Sequence, residues 1–470
     1  MRPRHLYFAI FTWLVFSGGR FTAPFLTNVA HLSDTLTGLA LALQTMSLSL
    51  FSSIGGAVAD HLEKKYPHRG RAMTIVSGLG LSTSAFMLHG AVVHIFQKNS
   101  TSKLVMSCHI FLRVIYSIGL SFAMPVLDGL TLSRLVEQGS KKEDFGKERL
   151  YGAVSWAVSS VILGPLIDRY GFEVMLLSAP LAFLYCLATI TIFTTNTRNI
   201  GISKTTNDAV SENIVEASHS CLGVDESDPK CQQYIPDKSK RNFTWLLLLS
   251  MCSTVYGAGY IFSSVALSMG TSVVESLIFL FFETLGSTST MCGLTVAVTV
   301  MFEIPIFQLA PKLLEIFGPE KLQEIACMAY ITRVVGYTFI PQNRMWMVLF
   351  LEPLHGVTYA CAKTSQVEFA ARLAPKGYES SSQGILSSVI GVGSLIGLSL
   401  GGWVEDTLGA KVMYRGFAMV ALVGLIVLFI AGKLHGKSIE SKHEEKKPLV
   451  LPTHTTKTNY DSAISTGEET

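Results

Sequence analysis

Along most of the chain, apolar residues come in runs of about twenty or more, separated by short polar breaks. A helical run of that length crosses the roughly 30 Å of hydrocarbon in a bilayer. The pattern predicts twelve spans, at about 5–30, 36–59, 72–96, 104–127, 150–168, 172–194, 244–282, 287–310, 321–340, 345–373, 380–404 and 411–433. All are expected to be helices, because lipid offers no partner to a free backbone N–H or C=O. The seventh segment is long for one span and holds Gly257, Gly259 and Gly270. We read it as one helix, which keeps the charge asymmetry consistent. The fold expected is an all-α membrane protein.

Two polar stretches organise the rest. The expected domains are an N-terminal six-helix half at 1–194, a cytoplasmic linker at 195–242, a C-terminal six-helix half at 243–433 and a disordered cytoplasmic tail at 434–470. The first apolar run, from Leu6, is interrupted by Arg20 and Pro24 and reads as a retained span rather than a cleaved signal. With the N-terminus inside, Lys and Arg favour the cytoplasmic connections by about three to one. Both termini are therefore expected in the cytoplasm. One motif recurs at the ends of spans: GGAVAD to Asp60, GPLIDRYG around Asp168 and GGWVEDTLG around Asp406. Recurrence every third helix implies four three-helix units arranged as nested repeats.

Composition narrows the class. The chain is 49% hydrophobic and 15% charged, too apolar for a soluble protein of 470 residues. Cys108, Cys186, Cys252, Cys292, Cys327 and Cys361 lie in apolar runs, where a free thiol is a small hydrophobe. Cys221 and Cys231 fall in the linker, where reducing conditions disfavour a bridge. The sequence carries no phosphate loop, no HExxH, no paired-Cys zinc pattern and no nucleophile elbow. Neither an enzyme nor an ATP-driven pump is expected, and no cofactor, metal or nucleic acid is implied.

The chemistry lies inside the spans. Glu352, His355, Tyr359, Lys363 and Gln366 fall on one side of the tenth span and climb roughly 21 Å of helix. A charge at the centre of a span costs about 2.5–3.5 kcal/mol on insertion scales, so the stripe is expected to face a hydrated cavity. The first span carries Arg20; the fourth carries His109, Arg113 and Asp128; the seventh carries Glu275; the eighth carries Glu303. Glu352 and His355, three apart, are in reach of each other along a helix. They are proton-coupling candidates or a structural pair. Glu303 is a third proton candidate, or a partner for Arg333 in the ninth span. Arg113 and Asp128 stand too far apart on one helix to pair, so each is expected to find its partner on another. Gly393, Gly397 and Gly401, spaced by four, are expected to allow close helix packing.

Gly56-Ala57-Val58-Ala59-Asp60 followed by Arg69-Gly70-Arg71 resembles the signature of the major facilitator superfamily between its second and third helices, with extra residues inserted. Arg149-Leu150-Tyr151-Gly152, Glu303-Ile304-Pro305, Leu354-His355-Gly356 and Ser382-Gln383-Gly384 are similar to the branch of lactose-permease-like and nucleoside–proton symporters and the domain-containing protein six family. The resemblance implies a twelve-helix fold of two six-helix halves, with the first, fourth, seventh and tenth helices around the cavity. It also implies a gate at Gly56, Asp60, Arg69 and Arg71. Lactose permease is similar in placing a His and a Glu three apart on its tenth helix, in the opposite order.

The substrate-cavity candidates are thus Arg20, Arg113, Asp128, Glu275, Tyr359, Lys363 and Gln366. The function expected is secondary transport of a small polar organic solute, sugar- or nucleoside-like, by alternating access with protons, by a monomer in the lipid bilayer of the plasma membrane. The alternative is a non-transporting cell-surface receptor on the same fold.

Overall fold

A computed structural model describes residues 2–67, 69–96, 102–137, 145–215, 254–373 and 379–445. Those residues form helices and connections, with no strand among them. The first span is α1 (Arg4–Phe16), a 3₁₀ turn (Gly19–Phe21) and α2 (Thr22–Asn28). Then follow α3 (Asp34–Lys65), α4 (Gly70–Ile95), α5 (Lys103–Glu137), α6 (Phe145–Tyr170) and α7 (Val174–Val215). The second set comprises α8 (Val255–Thr284), α9 (Ser289–Thr338), a 3₁₀ stretch (Met345–Phe350), α10 (Pro353–Leu373), α11 (Glu379–Leu408) and α12 (Ala410–Glu445).

Among the described residues, nine helices are long and apolar enough to cross a membrane. One of these, α9, is two spans hinged at Gly318, whose φ of 72° and ψ of 170° turn the chain between them. The remaining two spans, the first and the tenth, fall short of that standard, which completes twelve. The first is short because Gly18 (φ 146°) and Gly19 (φ 51°) break it, a conformation open to glycine alone at little cost. The tenth is polar and also broken: the helix begins only at Pro353, so Glu352 precedes it. The expected continuous helix over 345–373 is corrected accordingly. A proline cannot donate the backbone N–H that would join the two pieces.

The seventh segment is one unbroken helix from Val255, capped by the Thr254 hydroxyl, which accepts from Gly257 N at 3.0 Å. Residues 244–253 lie outside the described residues. The sixth helix runs on to Val215, into the stretch expected to be a linker, and the twelfth runs on to Glu445. The rest of the linker and the tail lie outside the described residues.

The first six spans and the last six meet along two seams, α3 on α11 and α6 on α9. Both seams are held by glycines at one end of the bundle. A Cβ on Gly38 would lie 2.6 Å from Leu398 O and 2.8 Å from Gly402 Cα. A Cβ on Gly293 would lie 2.3 Å from Ser160 O, and one on Gly164 would lie 2.4 Å from Ser289 O. Backbones therefore touch there. Gly393, Gly397 and Gly401 do pack closely, against Val265, Met269 and Val273 of α8.

Candidate functional site

The two broken spans meet at mid-bundle. Arg20, on the turn after the Gly18–Gly19 break, brings Nη2 to 3.3 Å from His355 Nε2. His355, one turn into α10, holds Arg333 Nη1 at 2.5 Å from its Nδ1. A guanidinium only donates, and a neutral imidazole has one accepting nitrogen. The ring can therefore accept from one arginine at a time. The ring's Nε2 also lies 3.9 Å from Glu275 Oε1, so His355 sits between two arginines and a carboxylate.

Arg333 is the centre of the cluster, and the sequence reading gave it only a secondary place. Its Nη2 donates to Glu352 Oε2 at 3.0 Å, and its Nε donates to the Tyr337 hydroxyl. The other Glu352 contacts are Tyr337 OH to Oε1 at 2.7 Å and Thr299 Oγ1 to Oε2 at 2.7 Å. Arg333 and Glu352 are each only 1% exposed. Removing one member of such a pair leaves a bare buried charge, which costs about 3–5 kcal/mol. The group ties α9 to the start of the tenth span. Two expectations are corrected here: the side chains of Glu352 and His355 do not bond each other but share Arg333, and Arg333 pairs with Glu352 rather than Glu303. Glu303 makes no hydrogen bond or ion pair among the described residues. Pro305 lies two residues on, and Glu303's backbone lies against Gly356.

Beside this cluster lies a cavity of about 210 Å³. Glu275, Tyr359, Lys363 and Gln366 line it, with the hydroxyls of Thr271, Ser272, Ser276 and Thr358. The lower part of the sequence stripe thus faces the cavity as expected, whereas its upper part is engaged in packing. His355 and Tyr359 stack with centroids 6.0 Å apart, and Lys363 Nζ lies 5.9 Å from the Tyr359 ring. Thr45 of α3 is the cavity wall's contribution from the first six spans.

Arg113 and Asp128 find partners on other helices, as their separation required. Arg113 donates from Nε and Nη2 to Gln44 Oε1 at 3.0 and 2.6 Å and lies over Tyr116 at 4.2 Å; its Nη1 is buried without a partner. Asp128 accepts from Tyr7 OH at 2.6 Å. His109 is corrected: it turns to His89 of α4, Nδ1 to Nδ1 at 2.8 Å, with the rings stacked.

At the gate signature, Asp60 pairs with Arg71 at 3.6 Å, and Arg71 also donates to Ser133 at 2.5 Å, all within the first six spans. Arg69 is exposed at the start of α4. A Cβ on Gly56 would meet nothing within 4 Å, while one on Gly55 would meet Ser121 O at 2.7 Å. The other two copies of the repeated aspartate, not singled out as gate residues, bridge the halves. Asp168 accepts from Ser289 N at 2.7 Å, Thr290 N at 2.8 Å and Thr290 Oγ1 at 2.5 Å. Asp406 accepts from Thr35 Oγ1 at 2.6 Å.

Comparison with known proteins agrees with this architecture. Residues 5–416 match the MFS_1 like family. The maltose permease of Geobacillus stearothermophilus is 23% identical over 445 residues, covering 93% of this chain and 97% of that protein. Among solved structures, the nucleoside transporter NupG superposes with a TM-score of 0.61 at 12% identity, over 92% of this chain and 98% of that one. A D-xylose-proton symporter gives 0.56 at 13% identity, over 91% and 95%. These relatives are permeases and transporters, not enzymes. A helical bundle of twelve spans, two of them broken around a charged centre, and a family match over most of the length make the chain a multi-pass membrane protein of the major facilitator superfamily, within its MFS_1 like family.

Proposed function

We propose that the protein is a secondary transporter that moves a small polar organic solute by alternating access, coupled to protons. The observation that carries this reading is a cavity lined by Glu275, Lys363, Gln366 and hydroxyl side chains of the last six spans, with Thr45 from the first six, in a bundle whose halves are bonded together at one end through Asp168 and Asp406. Lys and Arg favour the opposite end, which supports reading that end, with both termini, as cytoplasmic. The closed end is then external, and the conformation is inward-facing.

The residues divide into roles. Arg333, Glu352 and Tyr337 hold the broken tenth span in place. Arg20 reaches across from the first half and, with His355, senses the relative position of the halves. Glu303, which makes no ion pair among the described residues, and Glu275, whose nearest basic group is His355 at 3.9 Å, carry the proton. Across about 150 mV, one proton supplies roughly 3.5 kcal/mol to accumulate solute. Tyr359 offers a flat face, and Gln366, Lys363 and the serine and threonine hydroxyls offer donors and acceptors. That chemistry suits a sugar or nucleoside, the solutes in the names of its relatives.

Uptake by purified protein in vesicles, screened with sugars, nucleosides and aromatic acids, tests the reading. A solute should accumulate, and Lys363→Ala and Glu275→Gln should abolish its uptake while leaving the protein folded. Uptake that ignores a protonophore would remove the coupling and leave facilitated diffusion. Specific binding of a partner with no solute moved would instead favour the receptor alternative.

A further inference from the structure

The closed end contains a carboxyl group that the site above does not use. Glu405 lies near the end of α11, three residues beyond Gly402 and four beyond Gly401. Gly402 faces Asp34 and Gly38 of α3; Gly401 faces Val273 of α8 and Met413 of α12. Residues three and four apart share a helix face, so Glu405 projects between α3 on one side and α8 and α12 on the other, at the edge of the seam between the halves. It is 7% exposed, and its Oε2 is buried with no hydrogen-bond partner.

Its surroundings are acidic. Asp34 of α3 and Asp406 of its own helix lie within electrostatic reach. Glu283 of α8 is coupled in turn to Asp34. Toward α12 stands Tyr414, fully buried, whose hydroxyl also lacks a partner and feels Glu405. Tyr330, Tyr337 and Arg333 of α9 lie beyond Tyr414, but Arg333 is already paired with Glu352. Arg415 of α12 turns to the Thr338 hydroxyl at 3.1 Å. Among the described residues, no cation is set against Glu405. An ionised carboxylate buried without a counter-charge or a donor is prohibitively costly, whereas the neutral acid needs only one acceptor.

We infer that Glu405 is a proton-binding site of the external gate, and that this end closes only when Glu405 carries a proton. Opening the end separates α3 from α11, admits water to Glu405 and frees it from Asp34, so the proton leaves toward the external side. The closed state holds one proton more than the open state, and raising the external pH therefore favours opening. This inference rests on the alternating-access reading and adds to it a second protonation site, remote from the cavity.

Cys292 offers a native reporter: it lies at the same end on α9, beside Gly293 of the seam, and is 3% exposed in the closed conformation. In a Cys108→Ala background, a membrane-impermeant maleimide applied to intact cells reads gate opening. In the wild type, labelling of Cys292 should rise with external pH by about ten-fold per unit over the range where Glu405 titrates. Glu405→Gln, the shape of the neutral acid, should hold labelling low at every pH, and Glu405→Asp should restore the pH response. A flat response in the wild type, or an unchanged response in Glu405→Gln, overturns the inference. Gly38→Trp serves as the opened control. If Cys292 stays unlabelled even there, alternating access itself fails; if it labels there but ignores pH in the wild type, only the role of Glu405 fails.

Discussion

The two ends of the bundle are built from one recurring motif and behave differently. At the closed end, glycines let backbones touch across both seams, and an aspartate from each half reaches the other. At the open end, Gly56 faces nothing and Asp60 is satisfied by Arg71 of its own half. The motif alone does not make a gate. What makes one is whether the glycine finds a backbone opposite it and whether the aspartate finds a donor on the other half. Asp60 pairs instead within its own half, and Gly56 meets no neighbour within 4 Å among the described residues.

Substitutions at the tight glycines should break this asymmetry most strongly. Gly38→Trp places a large side chain where even a Cβ is 2.6 Å from Leu398 O, and overpacking costs about 1–3 kcal/mol or more. The closed end should open, with impermeant labelling of Cys292 increased at least about ten-fold and transport halted. Asp168→Ala comes next, because it removes an acceptor used by two backbone amides and a hydroxyl. It should shift the balance toward the open state by about 1–3 kcal/mol, read by the same labelling. Asp406→Ala loses a single bond from Thr35 and should shift it by only about 1 kcal/mol. Smallest of all, Gly56→Ala should leave the thermal stability within about 0.5 kcal/mol, while Gly55→Ala lowers it measurably. If Gly56→Ala proves as damaging as Gly38→Trp, the contrast between the ends is lost.

The span pattern was legible in the sequence because lipid imposes it on every helix independently. Span by span, hydrophobic run length is a local property. The breaks were harder to see. Gly18–Gly19 and Pro353 are visible in the chain, yet the surrounding apolar runs, averaged over a span's length, smoothed them away. Lys363, Gln366 and Tyr359 share one helix face because periodicity alone puts them there, and that face lines the cavity. Arg333 was not recognised as the hub, since its pairing with Glu352 depends on how the ninth and tenth spans cross. Spacing along the chain says nothing of that. For the same reason His109 was read with the cavity face, although it turns to His89. Asp168 and Asp406 were noticed as repeats but not as latches, because their donors lie on the opposite half.

Asp168 also has a second role at the start of α9. The first turn of any helix leaves four amide hydrogens without an acceptor in the helix itself. Here, of the amides at 288–291, Ser289 and Thr290 give theirs to Asp168 and Met291 gives its own to the Thr288 hydroxyl, while Cys292 begins the regular ladder on the Thr288 carbonyl. Two of the four are therefore satisfied by the opposite half of the molecule. Each time the halves part at this end, those two amides are handed to water. Deuterium uptake at 289 and 290, set against 291 and 292 as an internal clock, would count the openings without any label, mutation or known solute.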